Sequence, residues 1–336
     1  MRVLSEPARV SRASQDDAAT LLERSLARHR GAPLGPSLRA RGLGSYRAYR
    51  ELLGAIAHLA ERGAALSVIG RSVRSEPIFA LRFGPEPAGT RLRTSVVLAG
   101  VHPSEWIGVE ASFALLERLV GVELGDRAVI AVPVLNPDGY LAVEANLRAH
   151  RRRFVRHNAR DVDLNRNFDA RWGELGFVQR LLPSVFSPGS RPASEPEVEA
   201  LGHHLSNVRV DRAVSLHSFG GAVLYPRASS VLGVHDRAEH HAWATRIARA
   251  IDPKRPYRAA SCARWAWGIT AGGLELDWLH DRHGALSLLV ECSRGGRGLR
   301  PSRLFDPFAW FNPPQLEREA SAIAGALLPF VKGLDA

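Results

Sequence analysis

The chain has 336 residues, 45% of them hydrophobic, which suffices for a sizeable core in one large domain or two small ones. Its 45 basic and 34 acidic residues give a formal net charge of +11, but Lys254 and Lys332 are the only lysines and the arginines are scattered along the chain. Charge therefore gives only weak support to a nucleic-acid partner, and the absence of repeats and low-complexity tracts excludes a repetitive or disordered chain.

The first 44 residues are predicted to form a helical extension outside the main domain. Ala, Leu, Arg and acidic residues alternate from Ser14 to Arg30 as in an amphipathic helix, which the sequence GAPLGPS then interrupts. The segment lacks the apolar core of a secretory signal, and no apolar run of the chain is long enough to span a bilayer. Two cysteines are too few for a disulfide framework, so we expect a cytoplasmic protein without a membrane partner, while a secreted form stays open.

From residue 45 to residue 336 the pattern predicts one domain in which helices and strands alternate. The predicted helices span residues 46–63, 108–120, 240–251 and 315–331. The predicted strands span residues 66–73, 77–84, 93–100, 126–136, 209–220 and 284–293. Because the strands are mostly apolar throughout, we expect an α/β fold with a mixed, mostly parallel twisted sheet and helices on both faces.

Four polar residues lie at or just past the C-terminal ends of predicted strands. They are His102, Asn136, His217 and Glu291. Ligands of such sheets bind outside the carboxyl ends of the strands, so the fold is expected to bring these residues together.

His102 and Glu105 have the spacing of two ligands to one metal ion. Residues three apart lie on one face of a tight turn that enters a helix, and a catalytic zinc usually takes three protein ligands. His217 is the candidate third ligand, since the glycines after it permit a close approach. Glu291 ends an apolar strand, where a carboxylate is costly to bury without a partner or a catalytic task.

Six motifs in register resemble the zinc carboxypeptidases of the carboxypeptidase A type, the M14-like metallopeptidase family. They are HPSEW (102–106), NPDGY (136–140), RHNARDVDLNRNF (156–168), SEPEVEAL (194–201), LHS (216–218) and LLVECS (288–293). The resemblance covers roughly residue 45 to the C-terminus and implies a single carboxypeptidase-like catalytic domain.

The resemblance implies a role for each of five residues. His102, Glu105 and His217 would bind one Zn2+ per chain, with water in the open position. Glu291 would be the general base that takes a proton from this water and later hands one to the leaving amine. Arg156 would stabilise the oxyanion of the tetrahedral intermediate together with zinc.

Asn165 and Arg166 would hold the terminal carboxylate of the substrate, because a guanidinium fork matches a carboxylate. Arg151 competes with Arg156 for the oxyanion role, although Asn158 follows Arg156 at the family's spacing. The run Arg151–Arg153 is otherwise expected to be solvated.

The segment WAWGITAGGLELDW departs from the family pattern in two ways. The family's mobile tyrosine would fall near residue 268 or 269, where no tyrosine stands, and Tyr257 lies well upstream. Leu276 before Asp277 would line an apolar side-chain pocket. One extra residue after the glycines makes Glu275 an alternative liner, which would favour Lys, Arg or another amine-bearing end group.

Other metal-like residues are expected to have structural or surface positions. Cys262 and Cys292 are predicted to be free thiols. Asp138 is a candidate hydrogen-bond partner for a zinc-bound histidine, within a turn that begins at Asn136. Surface positions are expected for the histidines at 203, 204, 240, 241, 280 and 283.

The leading hypothesis is a zinc metallocarboxypeptidase whose partner is a peptide with a free C-terminal carboxylate. One alternative is an amidase that cleaves cell-wall (murein) peptides. Another is a catalytically silent protein that binds peptide C-termini, and a nucleic-acid binder that uses the arginine-rich segment Arg148–Arg160 ranks below both.

Overall fold

A computed structural model describes residues 12–30, 34, 46–86, 92–174, 176–295 and 305–335. The helices are α1 (Arg12–Arg28), α2 (Tyr49–Glu61), α3 (Trp106–Glu117), α4 (Pro137–Arg148), α5 (Phe177–Leu181), α6 (Pro196–Leu205), α7 (Arg237–Ile251), α8 (Cys262–Trp265), α9 (Glu275–His283), α10 (Pro307–Phe311) and α11 (Leu316–Val331), with a 3-10 helix at Leu164–Arg166. The strands are β1 (Ala65–Arg71), β2 (Pro77–Phe83), β3 (Arg93–Ala99), β4 (Arg127–Val132), β5 (Val210–His217), β6 (Ala222–Tyr225), β7 (Arg258–Ser261) and β8 (Leu286–Glu291).

The eight strands form one mixed sheet in the order β1-β2-β4-β3-β5-β8-β6-β7. Its centre is parallel, because β3 pairs in parallel with β4 and β5, and β5 pairs in parallel with β8. The antiparallel pairs lie nearer the edges, where β1 joins β2, β2 joins β4, and β6 joins β8. The central strands therefore present their C-terminal ends at one edge of the sheet.

Both faces of the sheet are buried, and strand β3 shows how its sequence serves the two faces. Val97 and Ala99 belong to the hydrophobic cluster that includes α2, α3, α4, α7 and α11. Val96 and Leu98 point the other way, into a cluster with α6 and α9. A continuous apolar run is what a strand covered on both sides requires, so the predicted fold class is confirmed.

Helix α1 packs against α2 and β1 at one end of the sheet. Ala18 and Leu22 are buried in the large cluster. Arg28 and His29 both contact the carboxylate of Glu76, at 3.0 and 3.1 Å. The predicted boundary at residues 44 and 45 lies outside the described residues, so it stays a prediction.

Candidate metal centre

Three parallel strands bring the candidate residues to one edge of the sheet. His102 follows the end of β3 by three residues, while His217 and Glu291 are the last residues of β5 and β8. His217 and Glu291 are also paired in register between these two strands. The predicted convergence of strand ends is therefore realised for these three residues.

The turn after β3 requires a glycine. Gly100 adopts φ 64°, and a Cβ at this position would lie 2.9 Å from the Cα of Val134. A residue with a side chain would be strained there and would collide with the neighbouring backbone. The tight turn lets the chain present His102 and Glu105 directly before α3 begins at Trp106.

Ligand atoms of His102, Glu105 and His217 lie close enough to share one ion. The two imidazole Nδ1 atoms are 3.1 Å apart. The Nδ1 of His102 lies 2.9 Å from Oε1 of Glu105, and the Nδ1 of His217 lies 3.0 Å from Oε2. A tetrahedral zinc with bonds of about 2.0–2.1 Å separates its ligand atoms by about 3.3 Å, so this triad fits zinc.

The other nitrogen of each imidazole faces a buried carboxylate. The Nε2 of His102 lies 3.2 Å from Oδ1 of Asp163, and the Nε2 of His217 lies 2.6 Å from Oε1 of Glu275. A carboxylate accepts, so the proton of a neutral imidazole belongs on Nε2 and the Nδ1 lone pair is free. Two lone pairs and a carboxylate then face one another, an arrangement that a cation stabilises.

The charges gathered at this site shift the pKa values of three of its side chains. Burial opposes ionisation of Glu105, but His102 and His217 outweigh it and hold the pKa of Glu105 well below its usual range. Burial also opposes charge on His217, yet Glu275 and Glu105 raise its pKa well above the usual value. Burial and the charge of Glu105 together raise the pKa of Glu291 to about 8.

Of the two candidates for the oxyanion role, Arg156 lies at the same cavity as Glu291. Its Nε donates to Oδ2 of Asp163 at 2.8 Å, and its guanidinium stands 5.2 Å from the ring centre of Phe186. The side chain lines the cavity with Glu291. Arg151 is exposed and does not line the cavity, and its neighbours to residue 153 are exposed as well.

Asn165 and Arg166 form another part of the cavity wall. The guanidinium of Arg166 also stands over Phe186, 5.3 Å from the centre of its ring. It also donates to the backbone oxygen of Asn165 through Nη1. Its Nε is buried and has no hydrogen-bond partner within the described part of the chain. An unpaired buried donor on a guanidinium favours an anionic ligand at this place.

The cavity has a volume of about 270 Å³ and is lined by apolar as well as charged side chains. Among the apolar liners, Ala228, Ala271 and Leu274 form a buried cluster against Cys262. The further apolar liners are Val178, Phe186, Phe219, Leu224, Trp265, Ala266, Ile269, Leu289 and Phe311.

The structure places Leu276 and Glu275 away from the cavity wall. Leu276 packs in a layer behind the wall, against Leu224 and Leu289, which do line the cavity. Glu275 points to His217 and is fully buried. Neither residue is among those that line the cavity, so the structure does not bring them to the position where we expected a liner.

Tyr257 does not replace the family's mobile tyrosine in this conformation. Its ring is buried in the main core, and its hydroxyl accepts a hydrogen bond from the backbone N–H of Ser293 at 2.8 Å. The cavity wall contains Trp265 and Ile269 in this region. Cys262 and Cys292 are both free, as predicted.

The hydrogen-bond partners of the histidines differ from the sequence interpretation. Asp138 accepts from the backbone N–H of Arg74 at 2.9 Å, while Asp163 contacts His102. Asp163 belongs to the motif RHNARDVDLNRNF, two residues before Asn165. Its place in this motif was the sequence signal that could have identified it as the partner of His102. Asn136 caps α4 by accepting from Gly139 N–H at 2.9 Å, so its turn role agrees with the expectation.

Two of the histidines expected at the surface are buried. His240 is 0% exposed and His280 is 6% exposed. His280 contacts carboxylates on both sides, with Nε2 3.2 Å from Asp236 and Nδ1 3.0 Å from Asp281. Ligand atoms of His235, Asp236 and His280 lie within 4.8 Å of one another, apart from the cavity described above.

Comparison with known proteins shows similarity along most of the chain. The model of the M14 peptidase family, described as zinc carboxypeptidase, matches residues 49–320. Carboxypeptidase O of Bos taurus is 27% identical over 229 residues, which is 63% of this chain. The match spans 60% of the length of that relative.

Solved structures share the fold. The carboxypeptidase A of Helicoverpa armigera has a TM-score of 0.69 at 21% identity, over 93% of this chain and 77% of the other. The murein-tripeptide amidase MpaA of Escherichia coli O157 has a TM-score of 0.51 at 23% identity, over 81% and 95% of the two chains. These identities support likeness of fold alone. Among the described helices, none has both the length and the apolar character needed to cross a membrane.

Proposed function

Because the chain belongs to the zinc carboxypeptidase family, we propose that it is a metallocarboxypeptidase that hydrolyses the C-terminal peptide bond of peptides. The observation that carries the proposal is the triad of His102, Glu105 and His217, whose ligand atoms lie 2.9–3.1 Å apart beside Glu291. The match covers only part of the curated relatives, so activity and substrate rest on the site of this chain.

His102, Glu105 and His217 would hold one zinc ion per chain. When bound, zinc supplies Lewis-acid charge for the scissile carbonyl and lowers the pKa of water. The donor set of two imidazoles and one carboxylate suits zinc and leaves a fourth position open. The chain's own residues perform the remaining steps.

Glu291 is the proposed general base. Its carboxylate lines the cavity beside the triad, where it can take a proton from the attacking water and pass one to the leaving amine. Burial and Glu105 raise its pKa to about 8, and a divalent cation held by Glu105 favours the carboxylate form. Such a group can both accept and return a proton near neutral pH.

Arg156 is the proposed stabiliser of the oxyanion. Its contact with Asp163 and its position over Phe186 fix the guanidinium at the cavity wall before substrate arrives. A donor that is already oriented loses little free energy to reorganisation when negative charge develops on the substrate oxygen.

Arg166 and Asn165 are the proposed binding site for the terminal carboxylate. The buried Nε of Arg166 needs an acceptor, and a carboxylate would supply one. Asn165 uses its Oδ1 to accept from the backbone N–H of Glu275 at 3.2 Å, so its amide NH2 is the group that can donate to a ligand. This requirement for a free carboxylate would make the enzyme an exopeptidase.

The apolar part of the cavity wall supports a preference for apolar or aromatic terminal residues. It includes the buried cluster of Ala228, Ala271 and Leu274 against Cys262. Glu275, the carboxylate that would favour Lys or Arg, is engaged with His217. The carboxylate of Asp277, which is bonded to the N–H groups of Ala228 and Ser229, is also engaged, so a basic terminal side chain would be desolvated there without a free partner.

The substrate is tested by mass spectrometry of products from a peptide library with free, amidated and D-amino-acid termini. The proposal predicts release of single apolar or aromatic L-residues from free-acid peptides, and intact amidated peptides. Ala228→Asp is predicted to shift the preference towards Lys and Arg. Cleavage of amidated peptides at equal rates, or of muropeptides alone, would contradict the proposal.

The proposed location is the cytoplasm, and the proposed partners are peptides only. The two free cysteines are compatible with a reducing compartment. Fractionation of the native host, with the protein detected by antibody, tests the location.

A further inference from the structure

We propose that Glu275 is a positioning residue, which holds His217 in the orientation and tautomer that bind zinc and raises the affinity of the site. The inference rests on the proposed function, since it requires a metal at the triad. The sequence suggested Glu275 as a liner of the side-chain pocket, and the inference gives it a different role, behind a metal ligand.

The contacts of Glu275 restrain the imidazole of His217 from the side opposite the triad. Oε1 lies 2.6 Å from His217 Nε2 and 3.1 Å from the hydroxyl of Ser215. That hydroxyl also lies 3.0 Å from the same Nε2. Because Nε2 faces two oxygens, its proton is retained there, and Nδ1 is left to face His102 and Glu105.

The backbone delivers Glu275 to this position through the glycines before it. Gly273 adopts φ 77°, and a Cβ there would lie 2.1 Å from the backbone oxygen of Arg166. Only a glycine permits this close passage. Glu275 then begins α9, where its N–H donates to Asn165 Oδ1 at 3.2 Å. The extra residue after the glycines is thus used to place a carboxylate behind a metal ligand.

The charge of Glu275 is compensated differently from that of Asp163. Asp163 contacts His102 and also forms an ion pair with Arg156 at 2.8 Å. In the regions that the structure describes, His217 is the only basic side chain paired with Glu275. The negative charge of this fully buried group is therefore directed through His217 towards any cation at the triad.

A carboxylate behind a metal-bound histidine makes the imidazole a stronger donor and fixes its direction. Loss of such a partner typically costs about 10- to 100-fold in metal affinity. The site would therefore use two carboxylate–histidine pairs, and the pair of Glu275 and His217 has the shorter contact, 2.6 Å against 3.2 Å.

The test compares Glu275→Gln with the wild-type chain in a competition titration of zinc against a chromophoric chelator. Glutamine keeps the size of the side chain and removes its charge. We expect a zinc Kd about 10- to 100-fold higher in Glu275→Gln. The absorption spectrum of the Co2+-loaded protein should also shift, because a weaker imidazole donor changes the ligand field.

Asp277→Asn is the matched control. Asp277 is 1% exposed and lies on the same helix, but its carboxylate accepts from the backbone N–H groups of Ala228 and Ser229. We expect this variant to keep the wild-type zinc Kd even if its melting temperature falls. Glu275→Asp, which keeps the charge, replaces Glu275→Gln if that variant does not fold, and its shorter side chain should also weaken zinc binding.

The outcomes separate this inference from the proposed function. Equal zinc affinities in the wild-type and Glu275 variants would overturn the inference alone. Equal weakening by Asp277→Asn would do the same, since the effect would then be structural. Zinc binding that survives His217→Ala unchanged would overturn the proposed metal site, and the inference with it.

Discussion

The Nδ1 atoms of His102 and His217 lie 3.1 Å apart with both oxygens of Glu105 beside them. At this spacing the carboxylates behind the two rings decide which nitrogen is protonated. The site therefore combines three ligand atoms on one side with two buried anions on the other. This arrangement is itself a reason to expect a metal ion here, independent of any similarity to other proteins.

Replacement of Glu291 by Gln is predicted to remove most of the activity. General acid–base catalysis contributes about 10²- to 10⁴-fold, so kcat should fall by about that factor while zinc content stays at the wild-type level. Steady-state kinetics with metal analysis by mass spectrometry measure the two quantities. Retained kcat in a zinc-loaded variant would remove Glu291 from the mechanism.

Replacement of Arg166 by Lys is predicted to weaken the selection of free carboxylates. A lysine keeps the charge and loses the planar fork, so kcat/KM on free-acid peptides should fall about 10- to 100-fold. Amidated peptides should change little, since they lack the anion. Arg152→Lys is the control because Arg152 is exposed. An equal loss on both kinds of peptide would show that Arg166 serves folding instead.

The sequence predicted which side chains converge. It did not predict which carboxylates contact the second ring nitrogen of each histidine. His102, His217 and Glu291 converge because strand ends meet at a sheet edge, a relation that periodicity reveals. Glu275 was singled out only because the loop after the glycines has one extra residue. The direction of its side chain depends on the close passage of Gly273 along the backbone of Arg166. Such three-dimensional packing has no counterpart in a one-dimensional pattern.

At the scale of single elements, long apolar segments were predicted more accurately than short ones. Strands β2 and β3 and helix α11 lie within two residues of their expected bounds. Strands β6 and β7 have four residues each, too few for a period to be recognised, and β7 has the sequence RAAS. Helix α4 was missed because NPDG also indicates a turn, although Asn136 as cap and Pro137 at the start are helix signals.

Helix α1 is predicted to be held in place partly by a pH-dependent ion pair. Burial opposes ionisation of Glu76, but the contacts of His29 and Arg28 outweigh it and lower the pKa of Glu76. A lowered folded pKa gives stability that is fully present above the unfolded value of about 4.3 and is lost as pH falls through the folded value. Glu76→Gln should therefore be less stable than wild type at pH 7, by up to about 1 kcal/mol.

The stability difference is measured by urea unfolding from pH 7 to pH 3. It should shrink between about pH 5 and pH 3, as Glu76 becomes protonated in the wild-type chain. Hydrogen exchange should increase in residues 17–28 of the variant, because their docking depends on this contact. A difference that grows between about pH 5 and pH 3 would have the wrong sign for this explanation.

At the scale of the whole molecule, the sheet and the metal site are predicted to stabilise each other. The ligands come from β5 and from the segment between β3 and α3, so a bound ion connects the centre of the sheet to the helix layer. A ligand that binds only the folded chain at 1,000 times its Kd adds about 4 kcal/mol to stability. The fold places the proposed zinc ligands at or just after strand ends, which suits a site that must keep its geometry.

Zinc removal is therefore predicted to lower the melting temperature without unfolding the chain at 25 °C. The core clusters on the two sheet faces do not include the proposed metal ligands, so the apo protein should keep its secondary structure. Calorimetry before and after dialysis against a chelator measures the change, and His217→Ala should show no zinc-dependent shift. An equal shift in that variant would place the stabilising metal elsewhere, for which the group of His235, Asp236 and His280 is the candidate.

The most direct test of the account is a zinc titration of the metal-free chain, followed by the release of the terminal residue from a free-acid peptide that ends in phenylalanine. We expect no release without zinc, a rise with each addition, and saturation near one equivalent per chain. The same titration of Glu291→Gln should take up the metal and release almost nothing. Release by the metal-free chain, or none from the zinc-loaded wild type, would show that the chain is not a zinc-dependent carboxypeptidase.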